Sequence, residues 1–225
     1  MIKQKVGAII VAAGESRRMG GVDKVMALLG GKAVLAWVID AFQRCSSIDH
    51  MVIVVSEQNL EPCRQLVAGE GWSKVSDVCL GSRRRQDSAA AGLGRLGQCD
   101  WVVIHDGARP LITVDLIERG LEAAGETGAA VAAMPVTDTI KVAGDDRLVQ
   151  ETLPRHSLWA VQTPQVFRFD IIIEAYRQTE AEVTDDATLV EMLGYKVKLY
   201  LGTYDNIKVT TPYDLALAEW LLYHR

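Results

Sequence analysis

A run of small and basic residues after the first apolar segment of the chain could bind phosphate groups. Residues 12–14 are Ala, Ala and Gly, and small side chains let backbone N–H groups approach phosphate oxygens closely. Arg17, Arg18 and Lys24 follow within the next ten residues and supply full positive charge. The run contains neither G-x-x-x-x-G-K-[ST] nor G-x-G-x-x-G. An ordinary surface loop with solvated cations is the alternative, but the whole string directly after an apolar run favours a phosphate-binding loop.

A second basic run, GSRRRQDS at residues 81–88, lies between a predicted strand and a predicted helix. Three arginines at the start of a helix oppose the helix dipole, which favours anions there. Either solvent screens these charges or a bound anion compensates them. Taken alone, the run is better explained as a solvated face.

An acidic residue, Asp106, ends the apolar run that begins at Trp101. A carboxylate at the end of a strand suits a hard divalent cation that also binds phosphate oxygens. The alternatives are a helix cap or an ion pair with Arg109. We interpret the neighbouring His105 as structural.

Apolar runs and amphipathic stretches alternate along the first 135 residues. The predicted strands are 6–12, 51–55, 75–80, 101–105 and 129–135, and the predicted helices are 33–44, 60–68, 86–96 and 114–124. The strands lack strict alternation, which is typical of strands covered on both faces of a parallel sheet. The order predicts an α/β fold with a doubly wound, mostly parallel sheet, in which ligands bind at the carboxyl ends of the strands.

The pattern changes after Pro135, where the chain becomes more polar. Segments 138–142 and 148–152 flank Gly144-Asp145-Asp146, so we predict a protruding β-hairpin arm at residues 137–156. An arm of this length has little core of its own, and a second copy of the chain is the expected partner. Helix, strand and helix signals then return at 170–178, 184–193, 196–201 and 212–223. We therefore predict one domain spanning residues 1–225, with the arm used for dimerisation.

Composition limits the classes of function. The formal net charge of −5 disfavours a general nucleic-acid-binding protein, which would carry a basic excess. No apolar run approaches the ~18 residues of a membrane-spanning helix. The four cysteines lack C-x-x-C spacing and the four histidines are scattered, so no zinc motif is present. We expect free thiols, a cytoplasmic location and no membrane partner.

Residues 12–20, called the phosphate-loop candidate below, match A-A-G-x-x-x-R-M-G. They resemble the signature loop of sugar-phosphate nucleotidyltransferases. Six further motifs resemble the 2-C-methyl-D-erythritol 4-phosphate cytidylyltransferase family: H-D-x-A-R-P at 105–110, D-T-I-K at 138–141, R-x-x-L-W at 155–159, Q-T-P-Q-x-F at 162–167, T-D-D-A at 184–187 and D-N-I-K-V-T at 205–210. The resemblance runs from Val6 to about Trp220. It implies a Rossmann-like nucleotidyltransferase fold and the reaction of CTP with methylerythritol phosphate in non-mevalonate isoprenoid precursor biosynthesis.

The resemblance also implies roles for individual residues. The implied catalytic cations are Arg18 and Lys24. The implied CTP-binding residues are Ala12, Ala13, Gly14, Glu15, Ser16, Lys24, Gly81, Ser82, Arg85, Ser88, Asp106 and Gly107. The implied acceptor-binding residues are Arg109, Thr139, Arg155, Thr184 and Lys208. Asp106 and Asp205 are the implied ligands of Mg²⁺. By the same resemblance, Thr139 and Arg155 act in the site of the neighbouring subunit of a homodimer.

One departure from the family pattern is Asp23-Lys24-Val25, where relatives commonly have P-K-Q. The lysine is retained, so the chemistry need not change, and the departure bears on the rigidity of this loop. The alternatives are another polyol phosphate acceptor such as ribitol 5-phosphate, another nucleoside triphosphate, or a non-catalytic nucleotide-binding protein. The presence of Lys24, Asp106 and Lys208 disfavours the last of these.

Overall fold

The computed structural model describes residues 4–16, 19–20, 23–179 and 181–224. Its strands are β1 (Val6–Ala12), β2 (Leu28–Leu29), β3 (Lys32–Ala33), β4 (His50–Val55), β5 (Val75–Leu80), β6 (Trp101–Asp106), β7 (Ala129–Pro135), β8 (Lys141–Ala143), β9 (Val149–Thr152), β10 (Trp159–Arg168) and β11 (Lys198–Leu201). Its helices are α1 (Val34–Arg44), α2 (Glu57–Glu70), α3 (Arg85–Leu96), α4 (Val114–Thr127), α5 (Phe169–Gln178), α6 (Asp186–Met192) and α7 (Pro212–Tyr223), with a 3₁₀ turn at Arg155–Ser157.

Seven strands form one central sheet in the order β11-β7-β10-β6-β1-β4-β5. Every neighbouring pair is parallel except those of β10, which runs antiparallel to both β6 and β7. The predicted α/β fold with a mostly parallel sheet is therefore confirmed. After β1 the sheet grows outward through β4 and β5, and the chain then returns to place β6 on the other side of β1. The gap between the ends of β1 and β6 is thus a topological switch point, where open α/β sheets bind ligands.

Helices cover both faces of the sheet, which explains why its central strands are apolar without alternation. Buried side chains of α1, α2 and α4 pack on one face and those of α3, α5 and α6 on the other. All seven residues of β1 are buried. The helix α7 packs beside β2 and buries Ala218 against Leu29 and Val34. This two-sided core holds the ends of the central strands in fixed positions.

The strand β10 is the main element that the sequence pattern did not predict. Its register shifts between Val161 and Gln165, and this irregular stretch contains Gln162, Thr163 and Pro164. Polar residues and a proline interrupt the apolar pattern there, and a proline within a strand is accommodated at a bulge of this kind.

The predicted arm is present but shorter than expected. Strands β8 and β9 form a separate two-stranded sheet, closed by a turn in which Arg147 adopts a φ of 62°. All four residues of β9 are exposed. Across the described ranges, no helix has both the length and the apolar character that crossing a membrane requires.

Candidate active site

Two neighbouring cavities lie at the switch point. The first has a volume of about 90 Å³ and is lined by the end of β1, Gly14, Lys24 and Ser82. The second has a volume of about 420 Å³ and is lined by residues of β10 and of the segment that leads into α6. Arg85, Asp106 and Lys208 line both cavities. These three charged side chains therefore form the boundary between two adjacent binding spaces.

The position of Asp106 follows from the sheet. It is the last residue of β6 and pairs with Val11 near the end of β1. The next residue, Gly107, donates its N–H to the carbonyl of Val11 at 2.8 Å. A Cβ at Gly107 would lie 2.8 Å from the Cβ of Ala12, so glycine allows the two chain segments to approach each other.

Three cations surround the carboxylate of Asp106. Arg85 Nε lies 3.0 Å from Oδ1, while Lys208 Nζ and Arg109 Nε lie 2.8 Å and 3.7 Å from Oδ2. Burial alone would raise the pKa of Asp106, but these three cations together hold the pKa of its carboxyl well below its usual range. Asp106 is therefore a permanent negative charge within a cluster of excess positive charge, and that excess suits a polyanionic ligand.

Lys24 is held over the backbone of the phosphate-loop candidate. Its N–H donates to Ser16 Oγ at 3.0 Å, and its ammonium donates to the carbonyl of Glu15 at 3.1 Å. A Cβ at Gly14 would lie 3.3 Å from Lys24 Nζ, so the missing side chain makes room for the ammonium. Arg18, the other predicted catalytic cation, lies outside the described residues, as does Arg17.

The turn after β5 packs closely against this loop. A Cβ at Gly81 would lie only 2.5 Å from the Cβ of Ala13, which requires glycine at this position. Ser88 is buried beneath the turn, where its hydroxyl accepts from the N–H of Ser82 and donates to the Ser82 carbonyl, both at 3.0 Å. Ser82 reaches the first cavity, whereas Ser88 shapes the turn from below.

The three consecutive arginines have different partners. Arg83 and Arg84 are exposed and lie near Glu15 and Asp87, respectively, so these two match the solvated face that the run alone suggested. Arg85 instead points inward and bridges two carboxylates. Its Nε bonds Asp106, and its Nη1 bonds Asp186 at 2.8 Å.

Asp186, the second carboxylate that Arg85 bonds, was not among the site residues predicted from the sequence. Asp186 is fully buried, and it also accepts a hydrogen bond of 2.6 Å from the hydroxyl of Tyr176 on α5. Burial and the Asp186 carboxylate raise the pKa of Tyr176, which therefore keeps the proton that it donates. Little in the sequence indicated this role, because Asp185 and Asp186 together look like helix-capping acids. Asp185 does cap α6, by accepting from the N–H of Thr188.

The predicted acceptor residues fall into two groups. Arg109, Thr184 and Lys208 line the second cavity, and Arg109 is fixed there by a 2.6 Å hydrogen bond to the carbonyl of Asn206. Thr139 and Arg155 are exposed on the arm and do not line either cavity of their own subunit. The structure therefore brings three of the five together.

His105 supports the site from beneath. The hydroxyl of Thr163 accepts from the N–H of Asp106 at 3.1 Å and lies 3.0 Å from His105 Nδ1, while His105 Nε2 lies 3.3 Å from the Arg109 carbonyl. Burial lowers the pKa of His105 to about 3, so the ring is neutral at physiological pH. These contacts agree with a structural role for His105.

Comparison with known proteins identifies the family to which this site belongs. The family model described as 2-C-methyl-D-erythritol 4-phosphate cytidylyltransferase matches residues 6–224. The chain belongs to this family. A protein of that name from Dehalococcoides mccartyi is 54% identical over 221 residues, which cover 98% of this chain and 97% of the relative.

Solved structures of the cytidylyltransferase family agree with the fold. The 4-diphosphocytidyl-2C-methyl-D-erythritol synthase from Anaerococcus prevotii has a TM-score of 0.87 at 31% identity and covers 98% of this chain and 97% of its own. The cytidylyltransferase from Thermus thermophilus has a TM-score of 0.77 at 31% identity, with 96% and 98% covered. The family resemblance stated from the sequence motifs is thus confirmed, as are the nucleotidyltransferase fold and the assignment to an enzyme family.

The two carboxylates predicted to bind Mg²⁺ lie at different places relative to the cavities. Among the residues that the structure describes, no cluster of three or more His, Cys, Asp or Glu side chains could hold a metal ion. Asp106 borders both cavities, whereas Asp205 lies outside the described lining of either one.

Proposed function

We propose that this chain transfers the cytidylyl group of CTP to 2-C-methyl-D-erythritol 4-phosphate and releases pyrophosphate. The observation that carries the proposal is the pair of adjacent cavities that share Arg85, Asp106 and Lys208, in a chain of the cytidylyltransferase family. One cavity lies at the phosphate-loop candidate and suits the triphosphate. The other contains Arg109, Thr184 and Lys208 and suits a small phosphorylated acceptor.

In the proposed reaction, a phosphate oxygen of the acceptor attacks the α-phosphorus of CTP. A new P–O bond forms there, the bond from the α-phosphorus to the bridging oxygen of the β-phosphate breaks, and pyrophosphate leaves with that electron pair. The nucleophile is already anionic, so no general base is required. The protein must align two polyanions and stabilise the charge of the transition state.

We assign the first cavity and its loop to CTP. Backbone N–H groups of the loop would bind the triphosphate, while Lys24 and Arg18 would stabilise charge at the α-phosphorus and on the departing pyrophosphate. The proposed CTP-binding set is Ala12, Ala13, Gly14, Glu15, Ser16, Lys24, Gly81, Ser82, Arg85, Ser88, Asp106 and Gly107. In this set, Ser88 and Gly107 would act by shaping the chain around the ligand.

We assign the second cavity to the acceptor. Arg109 and Lys208 supply positive charge for its phosphate, and Thr184 supplies a hydroxyl. Arg suits this role because its planar guanidinium can bind two phosphate oxygens at once.

A divalent cation, Mg²⁺, is part of the proposal. Mg²⁺ commonly binds through one or two carboxylates, with phosphate oxygens and water completing its octahedral coordination. Asp106 is the first proposed ligand because its ionised carboxylate borders both cavities, and Mg²⁺ there would replace Arg85 or Lys208 at one of its oxygens. Asp205 is the second proposed ligand. When bound, the cation would neutralise phosphate charge.

We further propose a homodimer in which the arm of one subunit completes the site of the other. Thr139 and Arg155 are exposed on the arm, away from the cavities of their own subunit. Exposed apolar side chains on the arm, including Leu148 and Val149, would be buried by a partner.

A cytoplasmic location is proposed as well, because CTP is available there and all four cysteines are free thiols.

Mixing two inactive variants tests the shared site. Lys24→Ala removes a cation from a subunit's own site, and Arg155→Ala would remove one from its partner's site. A heterodimer of the two should recover one intact site, so activity should return to about a quarter of the wild-type value after random re-pairing. If mixing restores nothing while both variants still dimerise, the arm serves its own subunit or neither.

The substrate assignment is tested by pyrophosphate release. The purified chain should be supplied with Mg²⁺, each of CTP, ATP, GTP and UTP, and either methylerythritol phosphate or ribitol 5-phosphate. Release that requires CTP and methylerythritol phosphate supports the proposal. Release with ribitol 5-phosphate alone would assign the same chemistry to another acceptor. CTP binding without release from any pair would favour a non-catalytic nucleotide-binding protein.

A further inference from the structure

The carboxylate of Asp23 joins the segment before Lys24 to the start of α2. Its Oδ1 accepts from the N–H of Val25 at 2.9 Å. Its Oδ2 accepts from Gln58 Nε2 at 3.0 Å and from Asn59 Nδ2 at 2.9 Å. Three hydrogen bonds from two separate chain segments thus converge on one side chain immediately before the proposed catalytic lysine.

The contact with Asn59 is built into the fold. Only 5% of Asn59 is exposed. A buried amide is costly unless it is hydrogen-bonded, and the Asp23 carboxylate supplies that bond. Gln58 adds a second donor to the same oxygen from a more exposed position. The first turn of α2 therefore presents two side-chain amides to a single acceptor.

The backbone on the other side of Lys24 is fixed as well. The N–H of Leu35 at the start of α1 donates to the Val25 carbonyl at 2.9 Å, and the N–H of Ala27 donates to the Asp23 carbonyl at 2.8 Å. Val25 is 1% exposed and packs in the core. The Lys24 backbone is thus held between α1 and α2, while its ammonium group lies at the loop that lines the first cavity.

We propose that Asp23 is a positioning residue, which sets the place of Lys24 in the first cavity by hydrogen-bonding its segment to Asn59 and Gln58 of α2. The inference rests on the proposed function, because it assumes that Lys24 contacts the triphosphate. Loss of the Asp23 carboxylate would free the segment without removing the ammonium. Phosphoryl transfer depends on alignment, so a small displacement of Lys24 lowers the rate even when the cation is still present.

The test compares single and double variants. Asp23→Ala, Asn59→Ala, Lys24→Ala and the double variant Asp23→Ala with Lys24→Ala should be assayed for kcat and for the KM of each substrate. Glu57→Ala is the matched control, because this residue lies in the same turn of α2 and makes none of the three hydrogen bonds to Asp23. Thermal unfolding of each variant checks that it is folded, and calorimetry measures CTP affinity without the acceptor.

A positioning role predicts a specific pattern. Asp23→Ala and Asn59→Ala should each lower kcat/KM for CTP by roughly tenfold, while the KM for methylerythritol phosphate stays unchanged. Asp23→Asn keeps an oxygen for the Val25 N–H and should recover part of the loss. In the Lys24→Ala background, Asp23→Ala should cause no further loss, since its effect passes through the lysine. Glu57→Ala should match the wild type.

Other outcomes would overturn the inference. Losses that multiply in the double variant, or equal rises in both KM values, would show that Asp23 supports the fold in general and not Lys24. Normal kinetics of Asp23→Ala beside an impaired Lys24→Ala would reject the positioning role and leave the proposed function intact. If the wild type releases no pyrophosphate, the proposed function fails; unchanged CTP affinity in Asp23→Ala would then reject the positioning role as well.

Discussion

Lys208 and Asp106 form an ion pair of 2.8 Å at the boundary between the two cavities. The pair joins the end of β6, beside the phosphate-loop candidate, to the segment before α7. Lys208 is still 38% exposed in its side chain, so its ammonium remains accessible to a ligand in the second cavity. A phosphate arriving there would meet a cation whose position Asp106 has already set.

Replacing Lys208 with alanine should mainly weaken acceptor binding. A hydrogen bond to a charged group contributes about 1.5–3 kcal/mol, so the KM for methylerythritol phosphate should rise roughly 10- to 100-fold. The KM for CTP should change less. Lys198→Ala is a suitable control, because Lys198 of β11 pairs with Glu126 of α4, away from both cavities. An unchanged acceptor KM in Lys208→Ala would remove Lys208 from the acceptor site.

Replacing Lys24 with alanine should mainly slow the chemical step. Removing one donor that stabilises transition-state charge commonly lowers kcat by about 10²–10³-fold. The measurement is the single-turnover rate at saturating CTP and acceptor. Lys24→Arg keeps the charge with a different shape and should lose less. A folded Lys24→Ala enzyme with near-normal turnover would show that Lys24 is not a catalytic cation.

The buried tyrosine Tyr176 should matter more for stability than for substrate binding. It donates to Asp186, and a hydrogen bond to a charged group contributes about 1.5–3 kcal/mol, so Tyr176→Phe should lower the free energy of unfolding by that amount. Tyr195→Phe is the matched control, since its hydroxyl bonds Glu174, which is only partly buried whereas Asp186 is fully buried, and it should cost less. Equal losses of unfolding free energy in the two variants, measured by urea unfolding, would show that the hydrogen bond to Asp186 stabilises the fold no more than the hydrogen bond to Glu174.

His105 should make the fold less stable as the pH falls. Its pKa is lowered by burial from about 6.5 to about 3, so between these values the unfolded chain binds a proton that the folded chain excludes. The contribution of His105 to stability is present above pH 6.5 and is lost on acidification, at no more than about 1.4 kcal/mol per pH unit. His105→Gln cannot titrate, so its unfolding free energy should depend less on pH between 6.5 and 4. Parallel curves for the two proteins would show that His105 titrates normally.

Sequence reasoning located the parts of the site that continuous chain segments encode. The apolar runs at β1 and β7 predicted the bounds of these strands correctly, because strands buried on both faces need apolar residues throughout. The bounds of β5 were also predicted correctly, although this edge strand is only partly buried. Asp106 was found because it ends the apolar run of β6, and the phosphate-loop candidate was found because it directly follows β1. The sheet order then brings them together at the switch point.

The contacts that the sequence did not predict join residues far apart in the chain. Arg85 and Asp186 are separated by 101 positions, and nothing in their local sequence indicates that they pair. Asp23 and Asn59 are likewise 36 positions apart. The strand β10 was not predicted, because Gln162 and Pro164 break the apolar pattern where the register of the strand is irregular. Such features depend on tertiary packing and not on local propensity.

The most direct test of the proposed reaction follows the oxygen atoms of the acceptor. Methylerythritol phosphate labelled with ¹⁸O in its nonbridging phosphate oxygens should be incubated with CTP, Mg²⁺ and the purified chain, and the products identified by mass spectrometry. We predict a cytidine diphosphate ester that retains all of the label, together with unlabelled pyrophosphate. Label in the pyrophosphate, or no ester formed by a chain that binds both substrates, would contradict attack by the acceptor phosphate on the α-phosphorus.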